Sequence, residues 1–270
     1  MRKSLGRRKN KLARPSGKYD HAGNEIGNLI LRSLPRGECT RIFSSLEFVR
    51  LKLHQVLHEK GETIKSGYFL NEGMGSVLTT QPDGKSVEVG LIGKEGFIGV
   101  PVVFGFKTSA LRVVTQGDGT AFRIDVPALQ KLLPQCPELT ERLQRFSLIM
   151  GMQSTQLAAC NRLHDVAERL ARWLMMSHDR IGGTRLPLTQ EFLGQMLGAR
   201  RASVSAAAGI LQKAGTISYA RGCVTILNKA RLEEAACDCY QIVEQQKEKW
   251  NEETETRSPG RRKIEPPSIP

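Results

Sequence analysis

The residues in this chain best placed to do chemistry are Arg200 and Arg201, at the head of an apolar-periodic stretch. Guanidinium groups in that position suit hydrogen bonding to phosphate and to base edges. The surrounding sequence runs Thr189-Gln190-Glu191-Phe192-Leu193-Gly194-Gln195-Met196-Leu197-Gly198-Ala199-Arg200-Arg201-Ala202-Ser203-Val204. Thr189 is a good N-cap, and Glu191 is favourable in the first turn. Phe192, Leu193, Met196 and Leu197 make one buried face, and Gly198 suits a tight turn at positive φ. The next helix keeps Val204, Ala207, Ala208, Ile210 and Leu211 for packing and leaves Arg200, Arg201, Ala202, Ser205 and Ala206 toward solvent. Two short helices, a tight turn and a basic start to the second helix describe a helix-turn-helix. Two apolar runs around a glycine-containing turn follow in Thr216–Ile226, and they read as a hairpin wing.

Other reactive side chains make weaker cases. On a strand, His54 and His58 share a face but stand ~13 Å apart, too far to hold one ion. Cys237 and Cys239, two apart on a helix, point to nearly opposite sides. No metal ligand set and no cofactor is therefore expected. There is no Walker-type phosphate loop, nucleophile elbow or His-Glu-x-x-His pattern, so an enzyme is not expected either.

Composition agrees with a binder of polyanions. Forty Lys and Arg against 27 Asp and Glu give a net charge of +13 in 270 residues. Residues 1–18 carry eight of the basic residues and no acid, and residues 189–231 carry six against Glu191 alone. These two stretches account for the whole excess, and such a field makes binding salt-dependent. The six cysteines are scattered without a secretory signal, which points to reduced thiols and a cytoplasmic location. No run approaches a membrane span.

The elements that must position the arginines follow in order. Residues 1–23 read as a basic disordered arm, which either touches phosphates or aids solubility. A short helix capped by Asn24 is expected to Leu34, and another piece at Thr40–Leu46. Between residues 48 and 125, short alternating runs separated by turn signals indicate an antiparallel β-roll, giving a first domain at 24–136. Pro127–Leu133 reads as a helix closed by Pro134, and a long helix spans 137–163. Along it Leu139, Leu143, Phe146, Met150, Gln153, Leu157 and Cys160 are spaced alternately four and three apart. Such a stripe either buries within the chain or forms a dimer seam; self-association is favoured, because a two-fold dimer places two recognition helices on one duplex. Leu148, Ile149 and Met152 then face the roll. A Cys160–Cys160 redox switch across that seam is an alternative role for the thiol. A helix from His164 to His178 leads into the second domain at 164–245, a helix over Lys229 to about Lys249 follows the wing, and residues 246–270 form a tail. The fold class is α+β: roll, long dimerisation helix, winged helix-turn-helix.

This order of parts resembles the Crp/Fnr family of bacterial transcription regulators over roughly residues 25–245. The resemblance is carried by Leu188–Val204, by Asn161-Arg162-Leu163-His164 with Glu168-Arg169-Leu170-Ala171-Arg172-Trp173-Leu174, and by the glycine-punctuated Val87–Gly99. It implies a cyclic-nucleotide-binding-like sensor roll and a homodimer that reads double-stranded DNA, with RNA polymerase as a further partner of an activator. Two departures matter. Where cyclic-AMP-responsive members have Gly-Glu and then Arg-Ser, this chain has Gly99-Val100 and Thr108-Ser109, which offer neither a ribose acceptor nor a charge for a buried phosphate. Lys107 or Arg112 are the available substitutes. Only Cys39 precedes the roll, so the iron–sulfur cluster of the oxygen-sensing branch is not expected. The family's base-reading positions fall on Arg201, Ala202 and Ala206. Arg200, Arg201 and Ser205, with Ala202 and Ala206 against thymine methyls, are thus the expected base contacts. Thr189, Gln190, Ser203, Tyr219 and Arg221 are expected on the backbone. The effector is left open, with cyclic-nucleotide or cysteine-redox responsiveness as alternatives.

Overall fold

The structure, a computed structural model, describes residues 19–20 and 22–255. Most of the basic arm and the end of the tail lie outside the described residues. Residues 246–255, read as tail, continue a helix.

Two short helices open the chain, α1 (Leu29–Arg32) and α2 (Arg36–Phe43). Asn28 caps α1 in place of the expected Asn24. Its side-chain oxygen accepts from the Leu31 N–H, while its amide donates to the Leu70 and Gly96 carbonyls, both at 2.9 Å. A buried amide so fully bonded fixes the helix start, whereas Asn24 bonds to Asp20.

The roll is two four-stranded antiparallel sheets. One has the order β1 (Glu47–Leu51), β8 (Gly119–Asp125), β3 (Ser66–Glu72), β6 (Phe97–Ile98); the other β2 (Val56–His58), β7 (Arg112–Thr115), β4 (Gly75–Thr80), β5 (Ser86–Ile92). Strands β2 and β6, at three and two residues, are too short to show alternation in the sequence. Phe69, Phe97 and Phe122, with Leu70, Ile98 and Ile124, belong to one buried core that the strands share with the flanking helices. Each such side chain contributes roughly 1.5–3 kcal/mol by leaving water. Helix α3 (Val100–Val103) follows β6, and α4 (Val126–Leu132) passes through a 3-10 turn at Leu133–Gln135 that absorbs Pro134.

The long helix α5 (Pro137–Leu163) forms as expected, but its apolar stripe faces inward. Leu139, Leu143 and Phe146 are buried in the roll core, Met150 packs against it, and Gln153, Leu157 and Cys160 are buried further along. Gly96 lets the helix approach: a Cβ there would fall 2.3 Å from the Phe146 ring. The residues expected at the seam are therefore packed within the chain. Leu148, expected on the roll, is 65% exposed, and Gly151, Thr155, Ala158 and Ala159 share the outer side. A three-and-four spacing marks one buried face on any helix and does not say what covers it.

At His164 the chain turns extended and α6 (Val166–Ile181) begins with a capping box between Asp165 and Glu168. Then come β9 (Arg185–Pro187), α7 (Gln190–Leu197), α8 (Arg201–Lys213), β10 (Ile217–Ala220) and β11 (Cys223–Ile226), with sheet order β10-β11-β9. The helix expected over Lys229–Lys249 is two, α9 (Lys229–Glu234) and α10 (Cys239–Glu255), separated by a turn. The second core joins α6, α7 and α8 to Met74, Leu78, Leu91 and Val114 of the roll. Across this junction the His54 ring, itself at φ 59°, stacks on Phe192 with centroids 5.8 Å apart. His58 lies apart from it, buried at the end of β2 with Nε2 2.8 Å from the Ser66 carbonyl.

Candidate nucleic-acid interface

The local chemistry that forms the helix-turn-helix matches its sequence. The Thr189 hydroxyl oxygen accepts the Phe192 N–H at 3.1 Å, and Gly198 ends α7 in the left-handed region at φ 57°. Leu193, Met196 and Leu197 from α7 meet Val204, Ala207, Ala208 and Leu211 from α8 in one core. Ile210, expected in that core, is instead 59% exposed near the end of α8.

Several contacts draw the expected DNA-facing residues to one side. Gln190 Nε2 donates to Ser205 Oγ at 3.3 Å, tying the start of α7 to the outer face of α8. The wing turn sits against the α7 cap, since a Cβ on Gly222 would lie 3.6 Å from the Thr189 methyl. Tyr219 on the wing lies within electrostatic reach of Arg201. Arg200, Arg201, Ala202, Ser205, Ala206 and Arg221 are all exposed, and Ser203 is half-buried. Among the described residues, no carboxylate lies within ion-pair distance of Arg200, Arg201 or Arg221. Such unneutralised guanidiniums on a convex helix face are what a phosphate backbone and a groove would engage.

Two wing residues take on distinct roles. The Tyr219 hydroxyl donates to the Leu188 carbonyl at 2.9 Å and its N–H donates to Gln212 Oε1, so it props the wing against the helices. Arg221 stands at the hairpin tip at φ 49°, followed by Gly222 at φ 72°. Two positive φ values in a two-residue loop are the geometry of a type I′ turn, where Asn-Gly is preferred. An arginine there costs about 1–3 kcal/mol in backbone strain, and it displays its charge at the tip of the wing.

The roll holds a cavity of ≈ 230 Å³ bounded by β4, β5, β6, β7 and α5. Gly99, Val100 and Ser109 of the degenerate cassette line it, and Thr108 does not. The rest of the wall is mainly apolar, including Val89, Ile92, Leu111 and Met150, with His58 at one side, and among the described residues no Lys, Arg, Asp or Glu lines it. The Ser109 hydroxyl donates to the Leu111 carbonyl at 2.6 Å, and Ser154 to the Val89 carbonyl at 2.7 Å. Neither expected substitute reaches the cavity, and Arg112 pairs with Glu59 at 3.3 Å.

The thiols sit differently from the sequence reading. Cys160 faces Cys237 of the same chain, with sulfurs 3.4 Å apart, rather than a second copy. Cys237 lies in the turn before α10, so it is free of the helical geometry that was expected to separate it from Cys239. Hydrogen bonding from Cys237 lowers the Cys160 thiol below its ordinary value, with Arg172 adding to the effect.

Comparison with known proteins agrees with this arrangement. The cyclic nucleotide-binding domain family matches residues 48–136, and the Crp-like helix-turn-helix domain family matches residues 168–235. Among solved structures, a CRP-family transcriptional regulator from Thermus thermophilus is 20% identical with a TM-score of 0.60, covering 70% of this chain and 96% of that one. The c-di-GMP-responsive global regulator CLP of Xanthomonas campestris is 19% identical at the same TM-score of 0.60, over 71% of this chain and 99% of the other. FixK2 from Bradyrhizobium japonicum is 15% identical, again at 0.60, over 71% and 98%. With a roll of the cyclic nucleotide-binding type, a long helix and a winged helix-turn-helix in that order, the chain belongs to the Crp/Fnr family of DNA-binding transcription regulators.

Proposed function

We propose that this regulator acts in the cytoplasm as a homodimer on a two-fold-symmetric operator, α8 entering the major groove and the wing lying along the backbone. The observation that carries the reading is the gathering of Thr189, Gln190, Ser205, Arg201 and the Arg221 tip on one face, with no ion pair to either arginine among the described residues. Arg200 and Arg201 reach base edges, a good bidentate pair to guanine being worth about 1–3 kcal/mol in discrimination. Ala202 and Ala206 offer only methyl contact, so the operator differs from one read by an acid and a second arginine at those positions. Pairing uses the outer side of α5, at Leu148, Gly151, Thr155 and Ala158, because the inner stripe is already covered.

The cavity in the roll takes a small apolar effector rather than a cyclic phosphate, for want of a cation in its wall. Calorimetry with cyclic AMP, cyclic GMP and a cyclic dinucleotide is expected to give flat traces; saturable heat from any of them would reverse this assignment.

Selection of bound duplexes from a random library at about 0.15 M salt tests the reader directly, since screening there suppresses non-specific tail contacts. Half-sites one helical turn apart are expected. Enrichment of a single asymmetric half-site would overturn the dimeric reading.

A further inference from the structure

Four potential metal ligands meet where the end of α5 touches the chain that emerges from the wing. Cys160 and His164 are one helical turn apart at the C-terminal end of α5, and Cys237 and Cys239 bracket the start of α10. The three sulfurs and one ring nitrogen all lie within 4.8 Å of one another. Cys160 Sγ stands 3.4 Å from Cys237 Sγ, and Cys239 Sγ 3.5 Å from His164 Nδ1. All three cysteines are buried, and together they form a small core of their own.

We propose that Cys160, His164, Cys237 and Cys239 form a mononuclear zinc site that fastens α5 to α10 across the elbow leading into the DNA-binding domain. Zinc bonds of about 2.3 Å to sulfur and about 2.0 Å to nitrogen set tetrahedral edges of roughly 3.8 and 3.5 Å. The two edges given above stand within half an ångström of those lengths, and the remaining separations, none above 4.8 Å, have to shorten by at most about 1 Å to close the tetrahedron. A cubane iron–sulfur cluster puts each ligand on a separate iron and needs a wider cage than this one. Magnesium and calcium want oxygen donors, and none of these four residues offers one.

Charge supplies an independent argument. Arg172, on the adjacent α6, is 4% exposed, its Nε has no hydrogen-bond partner, and no carboxylate stands within ion-pair distance among the described residues. Its charge acts on Cys160 and Cys237, and that of Arg169 couples to the same two sulfurs. Arg172 also acts on Glu88 from beyond ion-pair distance, but burial pushes that carboxyl up to about 7, so it is only a partial counter-charge to a buried guanidinium. Three thiolates around a divalent ion carry one net negative charge, which adds counter-charge beside these arginines. On binding, Zn2+ takes all three sulfurs as thiolates, the protons they still carry pass to solvent, His164 binds through Nδ1, and no electron moves. Gln156 Nε2, donating to Cys239 Sγ at 3.0 Å, supplies the outer hydrogen bond typical of such sites.

The test uses the full chain without a histidine tag, reconstituted with zinc under reducing conditions and freed of loosely held metal. About one equivalent of zinc per chain is expected, and cobalt in its place should show thiolate charge-transfer and intense tetrahedral d–d bands. Cys237→Ser and Cys239→Ser should each weaken cobalt affinity at least tenfold, while Cys223→Ser, on the wing, leaves it unchanged. Less than a tenth of an equivalent, an octahedral cobalt spectrum, bound iron with sulfide, or equal losses from Cys239→Ser and Cys223→Ser would each overturn the site. The wild-type cobalt spectrum decides the matter even where a serine variant fails to fold.

Discussion

Trp173 Nε1 donates to Glu88 Oε1 at 2.9 Å, joining the first helix of the DNA-binding domain to strand β5 of the roll. The other carboxylate oxygen accepts from Ser76, and Arg172 and Arg180 act on the group from α6. Burial nonetheless dominates: at 3% exposure, Glu88 is pushed up from 4.5 to about 7.

A pH dependence follows from this one carboxyl. With its folded pKa raised, the folded chain keeps a proton that the unfolded chain releases between pH 4.5 and about 7. The contribution is complete below pH 4.5 and lost as pH climbs to about 7, on the order of 3 kcal/mol across the window. Urea denaturation at pH 5.5 and 8 should show the difference, and Glu88→Gln should remove most of it. A variant with the wild-type slope would place the proton elsewhere.

Arg201 and Arg221 should separate by the kind of loss they cause. Arg201→Ala is expected to relax the operator at one position, by about 1–3 kcal/mol. Arg221→Asn keeps the type I′ turn and removes only the charge, so affinity should fall evenly across sequences and the salt slope by about one unit. Titrations of selected and scrambled duplexes at several salt concentrations distinguish the two; identical profiles would contradict the division.

The two faces of α5 should respond to mutation differently. Leu143→Ala on the inner face is expected to cost about 2–5 kcal/mol in stability, because it opens a cavity in the roll core. Leu148→Glu on the outer face should leave the monomer within about 0.5 kcal/mol of wild type and shift sedimentation toward a single chain. A dimer that survives Leu148→Glu and Gly151→Glu together would move the pairing face elsewhere.

Removing zinc should loosen what it ties. After a zinc chelator, amide exchange is expected to rise in the first turn of α10 and at the His164–Asp165 elbow, with little change in the roll. Exchange left unchanged in a demonstrably metal-free chain would show that the site braces nothing.

The helix-turn-helix was readable because every local signal agreed there: the Thr189 cap, the Gly198 turn, two amphipathic faces and a glycine hairpin. The roll was readable from its turns, less its two shortest strands. What failed needed partners that lie far off in the chain. Asn28 captured the α1 cap through contacts with Leu70 and Gly96. The inward stripe of α5 depended on a roll 50 residues earlier, and Gly90 and Gly96, which admit Met150 and Phe146, were its only trace in the sequence. The cysteine cluster was hidden by extending one helix through Ala235–Asp238, where the chain turns. Cys160-x3-His164 and Cys237-x-Cys239 were visible as separate pairs, and only the packing of α10 on α5 brings them together.

The inward stripe of α5 also bears on how copies of the chain mix. Because Leu139, Leu143 and Phe146 are satisfied within one chain, a protomer completes its fold before it meets another. Under the proposed pairing, dilution then yields folded single chains, and partners exchange without unfolding. Under the proposed pairing, a copy defective only at Arg201 would enter mixed dimers with the normal chain and weaken their hold on a two-fold operator.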